Sequence, residues 1–496
     1  MTGPVVATTT GRVQGEQKDG VTRFLAVPYA AAPVGDLRFA APIRPKAWDG
    51  VREATRPGPT APQPPYQSVP GLDVIRLSGE GWRRGEDYLV ANIWSPDTGA
   101  AGLPVMVFIH GGGYATGAGL TPVCDGASFA RNGIVLVSVD FRTGAEGFLH
   151  LKGGATNVGL RDQIAALEWI RENATAFGGD PDKITLFGES SGAASISCLM
   201  ASPLATGLFQ RAVLSSGHPE MVRPPAQAQA LADAVAAALG VPATAEAFRD
   251  KTSEELIAVH GAGYGIDLRD EQGVEPFGGI LPYTPVTGDD VLPEHPLAAI
   301  RNGAGSEIAL IVGTNREEFN LTTVPNGAID TIDHDQAIAM MSAIRPNAAE
   351  ILELYGLNQP GTTAGEAFTQ AQTDLTFRLP ARRVAAAHQG RTHVYEFGWR
   401  SPALGGRLGA CHSLILPFMF NTLPLDTGPD RMAGPNPPQE LAERIHGAWI
   451  DFATTGDPGW TEYGPDHQLM WLDTPSTTRP DDVPQANVQR FDPTKR

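Results

Sequence analysis

Short runs rich in β-branched and other apolar residues recur along the chain at residues 105–109, 134–139, 184–187, 212–214, 308–312 and, with His393 and Glu396 among them, 393–397, separated by longer amphipathic stretches. Continuous runs of this length predict strands buried on both faces, as in a parallel sheet, rather than strands with one wet face. Between them the period changes. Residues 160–176 carry Ile164, Leu167 and Ile170 at three-residue intervals, and 227–239 is rich in Ala and Leu, so both predict helices. Strand and helix alternate over most of the length, which predicts an α/β architecture with a mostly parallel central sheet flanked by helices. Helical patterns at 222–300 and 320–390 break the rhythm and read as insertions over the carboxyl ends of the strands, where open α/β folds bind ligands. No internal repeat or Ser/Gly linker divides the chain, so residues 1–496 are expected to form one unit.

Composition and charge narrow the function. With 42% hydrophobic and 19% charged residues the chain has ample material for a core, and its 57 Gly and 42 Pro, without a Gly-X-Y period, predict many tight turns. The 37 Lys+Arg against 55 Asp+Glu leave a net charge of −18, which disfavours a nucleic-acid partner because a polyphosphate is repelled. Cys124, Cys198 and Cys411 contain no Cys-x-x-Cys pair and cannot build a disulfide framework, which fits a reducing compartment. The N-terminal MTGPVVATTTGRVQGEQ has neither a basic nor an apolar signal region, and no run approaches the ~20 apolar residues that span a bilayer. A cytoplasmic protein without a membrane span is expected. Asn173-Ala174-Thr175 matches the glycosylation pattern, but without a secretion signal it reads as coincidence.

The chemistry begins where the strand at 184–187 ends. Gly188-Glu189-Ser190-Ser191-Gly192 follows, and 193–200 has a helical composition, giving a Gly-x-Ser-x-Gly in strand-turn-helix context. A serine on such an elbow projects its hydroxyl away from the sheet, while the helix N-terminus offers N–H groups to a developing oxyanion. Ser190 is the candidate nucleophile. After the run at 105–109 comes His110-Gly111-Gly112-Gly113-Tyr114, whose glycines leave backbone N–H groups unshielded. The candidate oxyanion donors are the N–H groups of Gly112, Gly113 and Ser191.

Together these segments resemble the type B carboxylesterases, the cholinesterase-like branch of the α/β-hydrolases. The resemblance spans nearly the whole chain: Phe24, Pro28-Tyr29-Ala30, Leu37-Arg38-Phe39, Glu86-Asp87, Asn92-Ile93-Trp94, Arg142, Gly147-Phe148-Leu149, Asn157-Val158-Gly159, Asp162-Gln163 and Phe177-Gly178-Gly179-Asp180-Pro181 occur in the family's order. It implies an α/β-hydrolase fold with helical insertions over the active site. Some positions depart from the family pattern. Tyr88 stands where cysteine is frequent, Asp140-Phe141-Arg142 replaces the usual Asn-Tyr-Arg, and Glu146 occupies a position that is commonly apolar. The resemblance also implies that Arg38 pairs with Glu86 and Arg142 with Asp162, and that these are scaffold residues. Trp169, Trp449 and Trp460 are expected to fill core or surface grooves.

In α/β-hydrolases the acid and then the histidine follow the serine. The run at 308–312 leads into Gly313-Thr314-Asn315-Arg316-Glu317-Glu318-Phe319, which resembles the family's Gly-x-x-x-Asp-Glu segment, whose second carboxylate belongs to the triad. That selects Glu318 over its neighbour Glu317. Among eleven histidines, His412 lies in Gly409-Ala410-Cys411-His412-Ser413-Leu414-Ile415-Leu416-Pro417-Phe418, which resembles the family's histidine segment. His218 is its rival. Ile415 stands where the family has an acidic residue, removing a possible contact near His412 and leaving the orientation of the imidazole open.

The expected function is hydrolysis of a small-molecule carboxylic ester through an acyl-serine intermediate, with no metal or organic cofactor. Aryl carbamates or activated amides would suit the same machinery. A neuroligin-like binding protein is disfavoured because all three triad candidates are present, and an epoxide hydrolase or dehalogenase would place Asp at the elbow. The assembly is expected to be a monomer or small homo-oligomer. Acyl and alcohol preference depend on walls built by the two insertions, whose packing the sequence does not give.

Overall fold

Each of the six runs coincides with a strand, apart from Ile134 and Ile308, which lie one residue before theirs, and most of these strands are longer than the runs. The computed structural model describes residues 3–65, 68–275, 277 and 280–491; residues 276, 278 and 279 of the first predicted insertion, and the first two residues of the N-terminal stretch, lie outside that set. The described strands are β1 Val5–Thr8, β2 Gly11–Gln14, β3 Glu16–Lys18, β4 Val21–Pro28, β5 Val51–Glu53, β6 Val90–Ser95, β7 Leu103–Ile109, β8 Val135–Val139, β9 Gly179–Glu189, β10 Arg211–Ser215, β11 Ala309–Asn315, β12 Thr392–Phe397, β13 Gln468–Leu472 and β14 Thr477–Pro480.

β1, β2 and β5 form a small sheet; the other strands form one 11-stranded sheet in the order β14-β13-β12-β11-β10-β9-β7-β8-β6-β4-β3. From β8 through β13 neighbouring strands pair in parallel, and antiparallel pairs close both ends. The central strands are buried on both faces: all of Val135–Val139, which is Val and Leu apart from Ser138, and all of Thr392–Phe397, which carries the polar Thr392, His393 and Glu396 among its apolar residues, are buried. The predicted helix at 160–176 is Val158–Asn173 continued by a 3₁₀ turn at Ala174–Phe177, and that at 227–239 is Pro225–Leu239. Trp169, Trp449 and Trp460 are all buried in the two apolar clusters. The three cysteines are free and buried.

Two scaffold pairings were expected and one forms. Arg142 grips Asp162 through Nε (2.8 Å) and Nη2 (2.6 Å), and both side chains are almost wholly inaccessible. Arg38 does not take Glu86, which is exposed. Its carboxylate partner is Glu146, at 2.8 Å, and Glu146 also accepts hydrogen bonds from Tyr88 Oη (2.8 Å) and Ser253 Oγ (2.8 Å). The physical reason is burial: a carboxylate at an otherwise apolar position must be paired, and Arg38 is the cation within reach.

A second charged cluster ties the end of the chain to the sheet. Buried Glu396 on β12 meets Arg378, Arg382 and Arg316, which also bind Asp481 and Asp482. The three carboxylates approach one another closely, but each already faces guanidinium groups. Among the described residues no helix is long and apolar enough to cross a membrane.

Candidate active site

β9 ends at Glu189, and the chain turns at Ser190 with φ 57° and ψ −128° directly into the helix Ser191–Ala201. A non-glycine residue there is strained and persists because its surroundings fix it. Ser190 N–H donates to Ser215 O at 2.9 Å, pinning the elbow to the end of β10. Gly192 permits the close approach of helix and β7, since a Cβ there would lie 2.0 Å from Ile109 O.

The glycine loop leaves β7 beside this elbow. Gly112 has φ 111°, and a Cβ on it would lie 2.2 Å from Thr116 O, so the loop's path requires glycine. Among the described residues the N–H groups of Gly112, Gly113 and Ser191 donate to no protein acceptor. Phe141, one of the departures from the family pattern, stacks on His110 with centroids 4.3 Å apart and so backs the start of the loop.

Glu318 follows β11 and is fully buried. Its Oε1 accepts the Asn315 N–H at 2.7 Å, and its Oε2 lies 2.7 Å from His412 Nδ1. The backbone adds a second tie, His412 N–H to Glu318 O at 3.1 Å. Glu317 turns the other way, to Arg400 and, at 2.9 Å, to the Ala410 N–H. His218 is buried elsewhere: its Nε2 lies 2.7 Å from Thr376 O, and burial pushes its pKa down to about 4. Ile415 is packed wholly into the core.

The sequence reading missed Glu189, although it stands directly before Ser190. Its Oε1 lies 3.3 Å from His412 Nε2 and accepts a hydrogen bond from Ser413 Oγ at 2.8 Å. Ser413 thus supplies a polar contact on the histidine segment where Ile415 cannot. His412 is held between two carboxylates. Burial opposes its charged form, but the Glu189 charge and the Glu318 hydrogen bond and charge outweigh burial and push its pKa up to about 9. Burial also raises the Glu189 carboxyl, against the pull of His412 and Ser413. Among the described hydrogen bonds none joins Ser190 Oγ to His412; Nε2 faces Glu189 instead.

Ser190, Glu189, His412 and the three glycines open into a cavity of about 810 Å³. Leu77, Phe108 and Leu416 form apolar walls, and the first insertion contributes Ile257, His260, Gly261, Tyr264 and Leu281. The expectation that both insertions wall this cavity is corrected: among the described residues none from 320–390 lines it. That stretch instead gives Met340, Ala343, Ile344, Phe368 and Gln372 to a separate cavity of about 660 Å³ that shares only Tyr264 with the first.

This combination of sheet, elbow and glycine loop is that of an α/β-hydrolase of the esterase class. The model of the carboxylesterase family matches residues 2–489, and the chain belongs to that family. It is 36% identical to the para-nitrobenzyl esterase of Bacillus subtilis, with 99% of each chain covered, and 36% identical to the phenmedipham hydrolase of Pseudarthrobacter oxydans, covering 92% of this chain and 91% of that one. A Geobacillus stearothermophilus carboxylesterase structure superposes with a TM-score of 0.83 at 33% identity, over 98% of this chain and 99% of the other. The chain is a carboxylic ester hydrolase with the α/β-hydrolase fold.

Proposed function

We propose that the chain hydrolyses carboxylic esters through an acyl-serine intermediate, with Ser190 as nucleophile, His412 as base and Glu318 as the acid that orients it. The observation that carries this reading is the 2.7 Å contact of His412 Nδ1 with the fully buried Glu318, in a cavity that also exposes the strained Ser190. On substrate binding Nε2 turns from Glu189 to Ser190 Oγ, a tightening expected of resting hydrolase sites. Oγ attacks the carbonyl carbon as Nε2 takes its proton, and the oxyanion accepts hydrogen bonds from Gly112, Gly113 and Ser191 N–H. The tetrahedral intermediate collapses, the alcohol leaves with the proton from Nε2, and water repeats the sequence to release the acid. Neither Lys nor Arg lines the cavity among the described residues, and Glu189 does, which disfavours anionic substrates.

The continuous sheet supports treating the whole chain as one catalytic unit, and the convergence of triad candidates argues against a purely adhesive role. The similarity to a phenmedipham hydrolase favours one further reading, that aryl carbamates enter the same cycle. The test is labelling with an organophosphate: modification should map to the Ser190 peptide and vanish in Ser190→Ala. Turnover of p-nitrophenyl esters by an unlabelled Ser190→Ala protein would refute the assignment. An aryl carbamate assayed beside the esters decides the second reading.

A further inference from the structure

The second insertion does not wall the cavity, yet it reaches the histidine. Between the helices Ala364–Thr373 and Leu379–Ala387 lies a π-helical turn, Asp374–Arg378, entirely buried. Such a turn carries one residue more than an α-helical turn and re-aims the side chains it bears; isolated π turns are frequent at functional sites. Here it aims Phe377 at His412: the ring centroids are 4.8 Å apart with an interplanar angle of 40°.

The turn is fastened to the site from several sides. Phe319 N–H, next to Glu318, donates to Thr373 Oγ1 at 3.1 Å, and His218 Nε2 meets Thr376 O at 2.7 Å. Arg378 binds Asp374 at 2.7 Å within the turn and Glu396 at 2.9 Å on β12. The acid loop, the neighbouring strand and the turn therefore form one rigid block behind the imidazole.

We infer that Phe377 is a positioning residue for His412: its ring packs on the imidazole and, with Glu318 on Nδ1, fixes the plane in which Nε2 swings between Glu189 and Ser190. The inference rests on His412 being the base. An aromatic ring suits this place because it packs against neutral imidazole and also attracts imidazolium, the form created when Ser190 gives up its proton. An aliphatic side chain supplies the first interaction only. Phe377 does not line the cavity among the described residues, so its loss should alter kcat and not substrate binding.

The test is kcat and KM of Phe377→Leu on an activated ester, with active sites titrated by an organophosphate. Phe452→Leu, at a buried aromatic position in another part of the core, is the control for packing loss. Phe377→Leu should lower kcat per titrated site roughly tenfold, with KM changed by less than about twofold and Phe452→Leu unaffected in both. An unchanged kcat per site, an effect on KM alone, or an equal kcat loss in Phe452→Leu would overturn the inference. His412→Gln run alongside separates the two levels: activity surviving there would remove the triad assignment itself.

Discussion

Replacing Glu189 by Gln should move the pH dependence of catalysis toward acid. The side chain keeps its size and can still accept the Ser413 hydrogen bond, so the change is chiefly the loss of one negative charge 3.3 Å from His412 Nε2. At that separation the interaction is worth about 1 kcal/mol at the dielectric of water and about 5 kcal/mol at an effective dielectric of 20. With about 1.4 kcal/mol per pH unit, the pKa of His412 should fall by roughly one to three and a half units. The cavity is open to solvent, which favours the low end, one to two units. The sign follows from the folded pKa of about 9: His412 acts as base only when deprotonated, so wild-type kcat/KM should rise with pH through about 9, not through the ordinary histidine value. In Glu189→Gln the rise should occur at least one unit lower. The assay is kcat/KM for a p-nitrophenyl ester over the alkaline and neutral range, read at the isosbestic wavelength of the product. Coincident inflections in the two proteins would refute the electrostatic reasoning, and a wild-type inflection near the ordinary histidine value would refute the two-carboxylate sandwich.

Folding stability should carry the same signature. Because the folded chain favours protonated His412, this contribution is fully present below the unfolded value of ~6.5 and is lost as pH rises through the folded value, so Tm should decline over that interval and less so in Glu189→Gln. Ser190→Ala should abolish turnover while leaving Tm unchanged within experimental scatter; a folded, active variant would move the nucleophile elsewhere. Glu318→Gln should lower kcat by about 10⁴-fold, as loss of a triad acid does, whereas Glu317→Gln should stay within a few-fold of wild type. The reverse order, measured on one ester, would transfer the role to Glu317. Asp162→Asn leaves the Arg142 charge buried with a neutral partner and should cost about 3–5 kcal/mol, read as a lowered urea midpoint.

The sequence made the centre of the sheet legible because strands buried on both faces are mostly apolar, as at Val135–Val139, where Ser138 is the one polar residue. It left the edges unread. β3, β13 and β14 are short or partly exposed, and their polar residues carry no distinctive period. Ser190 and the glycine loop were readable because they combine unusual backbone demands, a strained elbow and a path forbidden to a Cβ, with local sequence. Glu318 and His412 were reachable only through resemblance, since nothing local distinguishes a carboxylate that meets an imidazole 94 positions away. Phe377 was not readable at all, because its role depends on a π turn that propensity does not encode.

The departures from the family pattern carry the remaining information, and they compensate one another. Taken singly, Tyr88 in place of a cysteine and Glu146 in an apolar position look like losses. In the fold the Tyr88 hydroxyl donates to the Glu146 carboxylate, and Glu146 takes Arg38 away from Glu86, so each departure gives the other a reason to be tolerated. The same carboxylate accepts from Ser253 at the start of the helix Ser253–Ala258, whose Ile257 reaches the substrate cavity. Ser413 and Ile415 repeat the logic beside His412, the hydroxyl binding Glu189 while the aliphatic chain is buried in the core. A buried polar group is tolerated when its partners arrive with it, so the unit to read along a divergent chain is the contacting set and not the single position.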